Sequence, residues 1–531
     1  MTMRQKILSV VAFVAALSLV SCFSDDSVDQ DYGFADIKVS GIEKAYTKTS
    51  YVGDRLEISP VVETAFPEGE IEYEWMLLSD KTGTVSEKGD TLQPTVIGHE
   101  KNLNMEVNLA PATYQLRFLV RNTKNNYTNI SYASLVTVTE FSSGFYILKE
   151  TADGKTEIDL LTPSGTMATD LLTKTKGEPM QGKPYSLWIN YSQYYINPDN
   201  DQIETANSIS VISDQKQFLI MRTSDLATMY DRSNLLFDEM EPDEQPYAFF
   251  FHPMYGILYL SSNGYRTANH PDCMFASSQS AGKFGMPNPD FTGSKHVAMG
   301  PASYGGINFW DESTKSILGA NYNFMATPTV FSDFTGEELT QNLTNYECLS
   351  AGRSIVSGTE TDNVILQDNA TGARYIYLMT NTFSGQYLSK RIVVPAGSHF
   401  ANAVHFATSG QAARYIYAAA NNQIFAINYA ADEYEEISIP TPGIGQNENI
   451  TYVANPYLAY SGDANFDYLL VGTQQGNNYK VYVYETVGGV PTGNPVLTAA
   501  GEGILNCVRN LNPATSMSSF GFGRGVYPIN D

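Results

Sequence analysis

The 531-residue chain is poor in cysteine, in positive charge and in long apolar runs. Its four cysteines, Cys22, Cys273, Cys348 and Cys507, form no C-x-x-C pair, so the sequence encodes neither a disulfide framework nor a cysteine-based zinc site. With Cys22 set aside, at most one disulfide can form, and three buried thiols are the expectation. Lys and Arg number 32 against 57 Asp and Glu, a net charge of −25 that repels phosphate backbones, so no nucleic-acid partner is expected. Past residue 20 no run reaches the roughly eighteen apolar residues of a spanning helix. Short catalytic signatures are missing as well. There is no G-x-S-x-G nucleophile turn. The pair His99-Glu100 is followed at position 103 by Leu, so the zinc-peptidase spacing fails. The other histidines, His252, His270, His296, His399 and His405, show no ligand spacing beyond the loose pair 399 and 405, which reads as structural. Gly521-Phe522-Gly523-Arg524-Gly525 runs into Val526-Tyr527-Pro528 instead of the helix that a dinucleotide cradle requires. It is expected to close the C-terminal domain by completing its first or last sheet.

What the chain does hold is 35 Tyr, 41 Gly and 24 Pro, with aromatics at 12%, a mixture that favours strands and turns. At 43% hydrophobic and 17% charged it is a folding chain, long enough for two to four domains. The N-terminus is the most specific segment. Arg4 and Lys6 precede fourteen apolar or small residues, 7–20, too few for the ~20 of a membrane span. They end in Leu19-Val20-Ser21-Cys22, which resembles a bacterial lipobox. The resemblance implies removal of residues 1–21 and lipidation at Cys22, whose several acyl chains give a stable membrane anchor. Residues 22–35 are an acidic tether too poor in apolar side chains to fold. Within it, Ser24-Asp25-Asp26 is similar to the signal that sends Bacteroidetes lipoproteins to the outer face of the outer membrane. Asp26-Ser27-Val28 resembles the O-glycosylation motif of the same phylum.

The pattern divides the rest near residue 140. Over 36–140 short strands alternate: Ile71, Tyr73, Trp75 and Leu77 share one face, and Tyr114 to Val120 and Ser134 to Val138 repeat the period of two. About seven such strands predict a β-sandwich with Trp75 in its core. From 141 to 531 hairpins recur, beginning with Gly144-Phe145-Tyr146-Ile147-Leu148 and the strand ending Asp159-Leu160-Leu161. The closest internal match pairs Ala373-Arg374-Tyr375-Ile376-Tyr377 with Ala413-Arg414-Tyr415-Ile416-Tyr417, 40 residues on. A looser copy is Asp467-Tyr468-Leu469-Leu470-Val471. Periods of ~40 to 50 residues predict a β-propeller of about seven blades. The expected fold class is therefore all-β, a PKD/Ig-like sandwich followed by a propeller.

Acidic clusters give no site. Asn197-Pro198-Asp199-Asn200-Asp201 offers oxygens to Ca²⁺ but lacks the glycine and terminal glutamate of an EF-hand loop. Asp238-Glu239-Met240-Glu241-Pro242-Asp243-Glu244 reads as an exposed loop. No cofactor and no metal site are expected, Ca²⁺ being the weak exception, and no catalytic residue is identified. A glycosidase needs two carboxylates roughly 5 to 10 Å apart, which a sequence with 57 acids does not single out. Propellers bind ligands where loops converge at the end of the central channel, and aromatics there suit sugar stacking or peptide contact. The candidate ligand-binding residues are Trp188, Tyr191, Tyr194, Tyr195, Trp310 and Tyr322; each also fits packing between blades.

Taken together, the lipobox, the acidic tether, the strand Glu72-Tyr73-Glu74-Trp75, the strand from Tyr114 to Val120 and the opening of the second domain at Gly144 resemble the PKD-like family lipoproteins of Bacteroidetes. The resemblance implies an accessory lipoprotein on the extracellular face of the outer membrane. Its partners would be a SusC-like TonB-dependent transporter, the SusD-like lid lipoprotein, and a small nutrient such as a glycan or peptide. It supplies no catalytic residues, so an enzyme is not expected. A surface glycoside hydrolase or lyase, a structural or adhesive protein, and a binder of a cofactor such as a corrinoid stand as alternatives.

Overall fold

The computed structural model describes residues 37–83, 91, 93–198, 200–252, 256–271, 273, 277–298, 307–320, 329–330, 343–356, 359–382, 385–410, 413–455 and 468–511. The leader, Cys22, the acidic tether, Tyr322 and the glycine-rich run 521–525 lie outside these residues. Among the described residues, Leu171–Lys176 is the one α-helix and almost everything else that is regular is strand. No helix among the described residues is long and apolar enough to cross a membrane.

The chain forms two compact units. The smaller comprises the segment up to Ala45 together with Glu57–Asn104 and Gln115–Ser134. Its strand Ile71–Leu78 pairs antiparallel with Thr113–Asn122, Trp75 facing Phe118 in the register, and on its other side with Thr95–Gly98. Trp75 is buried. Its ring stacks on Phe118 at 4.3 Å, and its Nε1–H donates to the Glu100 carbonyl at 3.2 Å. That is the packing an amphipathic aromatic requires when its one polar atom leaves water. Ile37–Ser40 pairs with Val61–Thr64 in a separate two-stranded ladder.

The larger unit takes in Tyr46–Leu56, Met105–Tyr114 and everything from Leu135 on. Tyr114, near the start of the strand Thr113–Asn122, donates its hydroxyl to the Ala110 carbonyl at 3.0 Å, the short backbone-directed bond of a tyrosine corner.

From Gly144 the larger unit is a β-propeller. Seven antiparallel sheets lie among its described residues. The first runs Met167–Ala168, Thr156–Leu161, Gly144–Glu150, Ile504–Leu511, and the second Pro184–Asn197, Gln202–Ser213, Phe218–Arg222, Thr228–Tyr230. The third is Pro246–His252, Gly256–Ser261, Gly264–Ala268, and the fourth Val297–Ala298, Ile307–Asp311, Ser316–Ala320, Thr329–Val330. The fifth is Tyr346–Val356, Thr359–Asp368, Arg374–Thr382, Gly385–Val393, and the sixth His405–Thr408, Tyr415–Ala420, Gln423–Asn428, Glu436–Ile439. The seventh joins Asn449–Ala454, Tyr468–Gln475 and Asn478–Val487, the last pairing with both Val490–Pro491 and Leu497–Glu502.

Both faces of each sheet are covered, which is why the strands read as continuous apolar runs where those of the sandwich alternate. Thr156–Leu161 and Gly256–Ser261 are buried at every position, whereas Ile71–Leu78 buries Trp75 and Leu77 and exposes Glu72. Apolar layers fill the space between neighbours. Ile365, Ile376 and Leu378 of the fifth sheet meet Ile416, Ala418 and Phe425 of the sixth; Tyr417 and Ile424 of the sixth meet Val453, Leu469 and Tyr482 of the seventh.

The innermost strands lie side by side around an axis. Pro184–Asn197 sits beside both Ile504–Leu511 and Pro246–His252, Tyr346–Val356 beside Val297–Ala298 and His405–Thr408, and Asn449–Ala454 beside His405–Thr408 and Ile504–Leu511. The innermost strand of the first sheet comes from the other end of the chain: Gly144 pairs with Leu511 and Glu150 with Ile504, with a bulge at Leu148/Lys149. Among the described residues closure is thus made by Ile504–Leu511; the glycine-rich run 521–525, expected to make it, lies outside them. Only glycine serves at position 144, where φ is +121° and a Cβ would lie 2.3 Å from the Leu161 carbonyl oxygen.

One feature of the sequence repeat is corrected by the topology. Arg374–Thr382 is the third strand of its sheet, while Tyr415–Ala420 and Tyr468–Gln475 are the second strands of theirs. The matching Ala-Arg-Tyr-Ile-Tyr segments are therefore not equivalent positions of successive units. They are alike because any interior strand of a doubly covered sheet selects the same β-branched and aromatic side chains.

Candidate ligand-binding site

The innermost strands enclose a cavity of about 230 Å³. Tyr185, Ser186 and Trp188 reach it from the second sheet, Lys295 and His296 from the residues leading into Val297–Ala298, and Leu349 from the fifth sheet. Val404, His405 and Phe406 enter from the sixth, and Asn506, Cys507 and Arg509 from the closing strand of the first. Five sheets contribute. A bulge between Pro184 and Ser186 breaks the two-residue alternation, so that Tyr185 and Ser186 both line the cavity.

Polar side chains here are held in place by the strands that carry them. The Trp188 Nε1–H donates to Ser186 Oγ at 3.0 Å, and that hydroxyl donates to the Tyr247 carbonyl at 2.9 Å. Arg509 is buried, donates through Nε to the Leu187 carbonyl at 3.1 Å, and lays its guanidinium carbon 5.9 Å from the centre of the Trp188 ring. Asn506 donates to the Pro184 carbonyl at 3.3 Å. Lys295 is exposed, and its Nζ sits 5.1 Å from the centre of the Tyr185 ring. These are cation–π distances, each cation lying against an aromatic face. His405 sets its ring edge to face Tyr452 at 6.3 Å. His296 Nδ1 is buried without a hydrogen-bond partner among the described residues.

Among the described residues, the lining includes two cations and no carboxylate, in a chain whose net charge is −25. Burial first, then the Tyr247 phenol and the Glu312 carboxylate, raises the Tyr185 phenol; that carboxylate is engaged by Lys315 at 2.5 Å. Burial first, and the Lys295 charge second, push His296 down to about 3 and His405 down to about 4. Both rings are neutral at neutral pH.

A larger hollow, about 290 Å³, lies on the seventh sheet against Glu448, Thr473, Tyr479, Lys480 and Glu502. Of its two acids, Glu448 is already saturated: it accepts from Lys480 at 2.6 Å, Thr473 at 2.7 Å and Tyr482 at 2.7 Å. The central cavity, smaller but built from five sheets, is the better candidate.

Of the aromatics singled out from sequence, Trp188 lines this cavity. Tyr191 is buried in the outgoing half of the same strand. Tyr194 is half-buried, and Tyr195 donates its hydroxyl to Glu204 at 2.9 Å. Trp310 is fully buried in the second strand of the fourth sheet, packed with Ala298, Ile317 and Tyr377. The His399/His405 pair is split: His399 stacks on Phe425 at 3.8 Å and meets Glu436 at 2.9 Å, whereas His405 lines the cavity. Glu204 also accepts from Asn197 and Asn200 at 3.0 Å each, tying down the loop weighed for Ca²⁺. Among the described residues no group of three or more His, Cys, Asp or Glu is placed to hold a metal ion. In the acidic run 238–244, Glu244 is not solvated: it is buried and takes Arg266 in a two-pronged ion pair at 2.5 and 2.9 Å. The described cysteines, Cys273, Cys348 and Cys507, are buried and in no disulfide. Sequence reasoning did not single out Lys295, His296 or Arg509 as site residues. No local pattern marks them, because the residues they join in space lie far apart in the chain.

Neutral histidines make the fold acid-sensitive above the carboxylate range. His270, buried against Phe251 at 4.4 Å with its ring N–H donated to the Tyr191 carbonyl, is held by burial down to about 4. A histidine held below its ordinary value near 6.5 binds its proton first in the unfolded chain, so stability is full above about pH 6.5 and falls as pH drops towards 4. For His270 the loss by pH 5 is on the order of 2 kcal/mol. The urea midpoint is expected to fall between pH 7 and pH 5, and to fall less in His270→Leu; a flat midpoint over that range would contradict the assignment.

Comparison with known proteins follows the architecture. No curated protein matches the chain. Among solved structures, it is similar to a quinonprotein alcohol dehydrogenase-like protein of Bacteroides thetaiotaomicron, 14% identical, over 90% of this chain and 99% of that one, TM-score 0.47. AztD of Citrobacter koseri is 9% identical over 82% of this chain and 97% of that one, TM-score 0.29. The WD40 domain of SCAP from fission yeast is 8% identical over 72% of this chain and 75% of that one, TM-score 0.24. At the level of sequence families, residues 22–184 match the PKD-like family, so the match takes in the sandwich and three of the four strands of the first propeller sheet.

Proposed function

We propose that this chain is a lipid-anchored surface protein, held at the outer face of the outer membrane through Cys22, whose propeller binds a small nutrient ligand for a SusC/SusD-type TonB-dependent uptake complex. The PKD-like sandwich serves as spacer or docking module, and the propeller recognises. The observation that carries this reading is the central cavity, where side chains from five sheets converge, the aromatic and cationic ones from four of them, with Trp188 bonded to Ser186 and Arg509 to the Leu187 carbonyl. The role is binding, not turnover. The acids buried in the propeller support that view, since each has a structural partner. Asp362 is taken up by Arg353 at 2.6 Å, Asp159 by Lys149 at 2.8 Å, and Glu157 by the first backbone N–H groups of the short helix at 2.7 and 2.9 Å.

The test is to purify the protein from its native outer membrane in mild detergent, with a tag after Asp531, and to identify what co-purifies in stoichiometric amount. The expected result is a large TonB-dependent barrel with its lid lipoprotein. Recovery of the protein alone would remove the uptake complex from this reading.

A further inference from the structure

We propose that the central cavity binds an oxyanion-bearing small molecule, with Lys295 and Arg509 as its charge partners and the Trp188 side of the cavity receiving its less polar part. This deepens the reading of the cavity as the ligand site and does not depend on the transporter. The argument begins with charge. A chain that carries 57 acids and 32 cations places, among its described residues, two cations and no acid on the wall of its central cavity. Positive potential inside a low-dielectric cleft is felt more strongly than at an open surface, and here it opposes the sign of the whole molecule, so it acts on a ligand inside the cleft.

Geometry adds the second part. Arg509 is buried, donates through Nε to the Leu187 carbonyl and holds its guanidinium carbon 5.9 Å from the centre of the Trp188 ring. A guanidinium with its orientation already set loses little freedom when it takes a carboxylate or phosphate. Lys295, exposed and resting on the Tyr185 ring, supplies a mobile point charge at the same wall. Its effect on both His296 and His405 places its charge within electrostatic reach of the cavity floor. The unpartnered His296 Nδ1 is a further polar atom for the ligand. The size limits what enters: about 230 Å³ is below the ~300–1,000 Å³ of drug-sized pockets, so the ligand is of monosaccharide size or smaller.

The full mature chain is titrated calorimetrically with glucuronate, glucose and inorganic phosphate. Glucuronate differs from glucose by a carboxylate at one carbon, so the pair isolates the charge, and phosphate tests the oxyanion alone. Saturable binding of glucuronate or phosphate below about 10 mM, with glucose at least tenfold weaker, is the expected result. Because Lys295 is exposed, Lys295→Gln is expected to fold and melt as the parent does; it should weaken the anion about tenfold or more and leave glucose unchanged, while Lys295→Arg retains binding. Equal binding of glucuronate and glucose, no saturation by either anion, or full affinity in Lys295→Gln would overturn the proposal. None of these outcomes bears on which membrane proteins co-purify, so the two readings fail separately.

Discussion

A chain ending at Gly503 is expected not to fold its propeller. Ile504–Leu511 supplies the innermost strand of the first sheet, paired residue by residue with Gly144–Glu150 from the other end of the domain. Its removal exposes the apolar layer that Leu505, Val508 and Leu511 complete, all of them buried, at roughly 1.5–3 kcal/mol each. It also strips the ladder bonds of an interior strand, where each unpaired backbone group costs about 1–3 kcal/mol. Tyr452 loses both of its bonds to Val508, one accepted from its N–H at 3.0 Å and one donated to its carbonyl at 3.1 Å. The sum reaches or exceeds the ~5–15 kcal/mol by which whole domains are stable. Circular dichroism melts and limited proteolysis of chains ending at Gly503 and at Leu511 give the check. The shorter is expected to lack a cooperative transition and to be degraded rapidly. If both melted within a few degrees of each other, closure by this strand would not be what holds the ring.

The second large effect is expected from Arg353→Met. Arg353 stands directly opposite Asp362 in the two inner strands of the fifth sheet, and neither side chain reaches solvent. Nε and Nη2 meet the two carboxylate oxygens at 2.6 and 2.8 Å, and Nη1 lies 3.1 Å from Glu360. Asn308 donates to Asp362 at 2.7 Å from the second strand of the fourth sheet, so the network ties two sheets together. Methionine fills much of the volume but leaves two buried carboxylates without their cation, a loss of about 3–5 kcal/mol. The triple variant Arg353→Met, Glu360→Gln, Asp362→Asn removes the charges together and is expected to recover at least half of it, since the cost lies in the orphaned anions and not in the missing arginine. Equilibrium urea unfolding of both variants decides; a loss below about 1 kcal/mol in the single variant would mean that the pair is dispensable.

How far these features can be read without coordinates differs from one to the next. The change at residue 140 from alternating strands to continuous apolar runs is legible because period and burial are local properties: one covered face gives Trp75 and Leu77 their spacing, and two covered faces give Thr156–Leu161 none. Trp75 and Tyr114 could be placed for the same reason. The Ala-Arg-Tyr-Ile-Tyr match misled about which strands correspond, since local pattern reports burial and not a strand's place in its sheet. That Ile504–Leu511 pairs with Gly144–Glu150 was not legible, because pairing across some 360 residues leaves no mark near either strand.

The cavity shows the same division. Trp188 was recognisable as a candidate, though read as a loop aromatic and found inside the strand Pro184–Asn197, but its partners Lys295, His405 and Arg509 come from three other sheets, and nothing in their neighbourhoods distinguishes them from surface or packing residues. The amino-acid sequence by itself determined that this protein is built of strands, that a sandwich precedes a repeated sheet unit, and that its overall charge is strongly negative, because composition and periodicity act within a few residues. Which side chains share a cavity, which carboxylates are neutralised in the interior and which strand closes the ring were decided by the tertiary structure alone, because each is set by radial packing that brings together residues hundreds of positions apart.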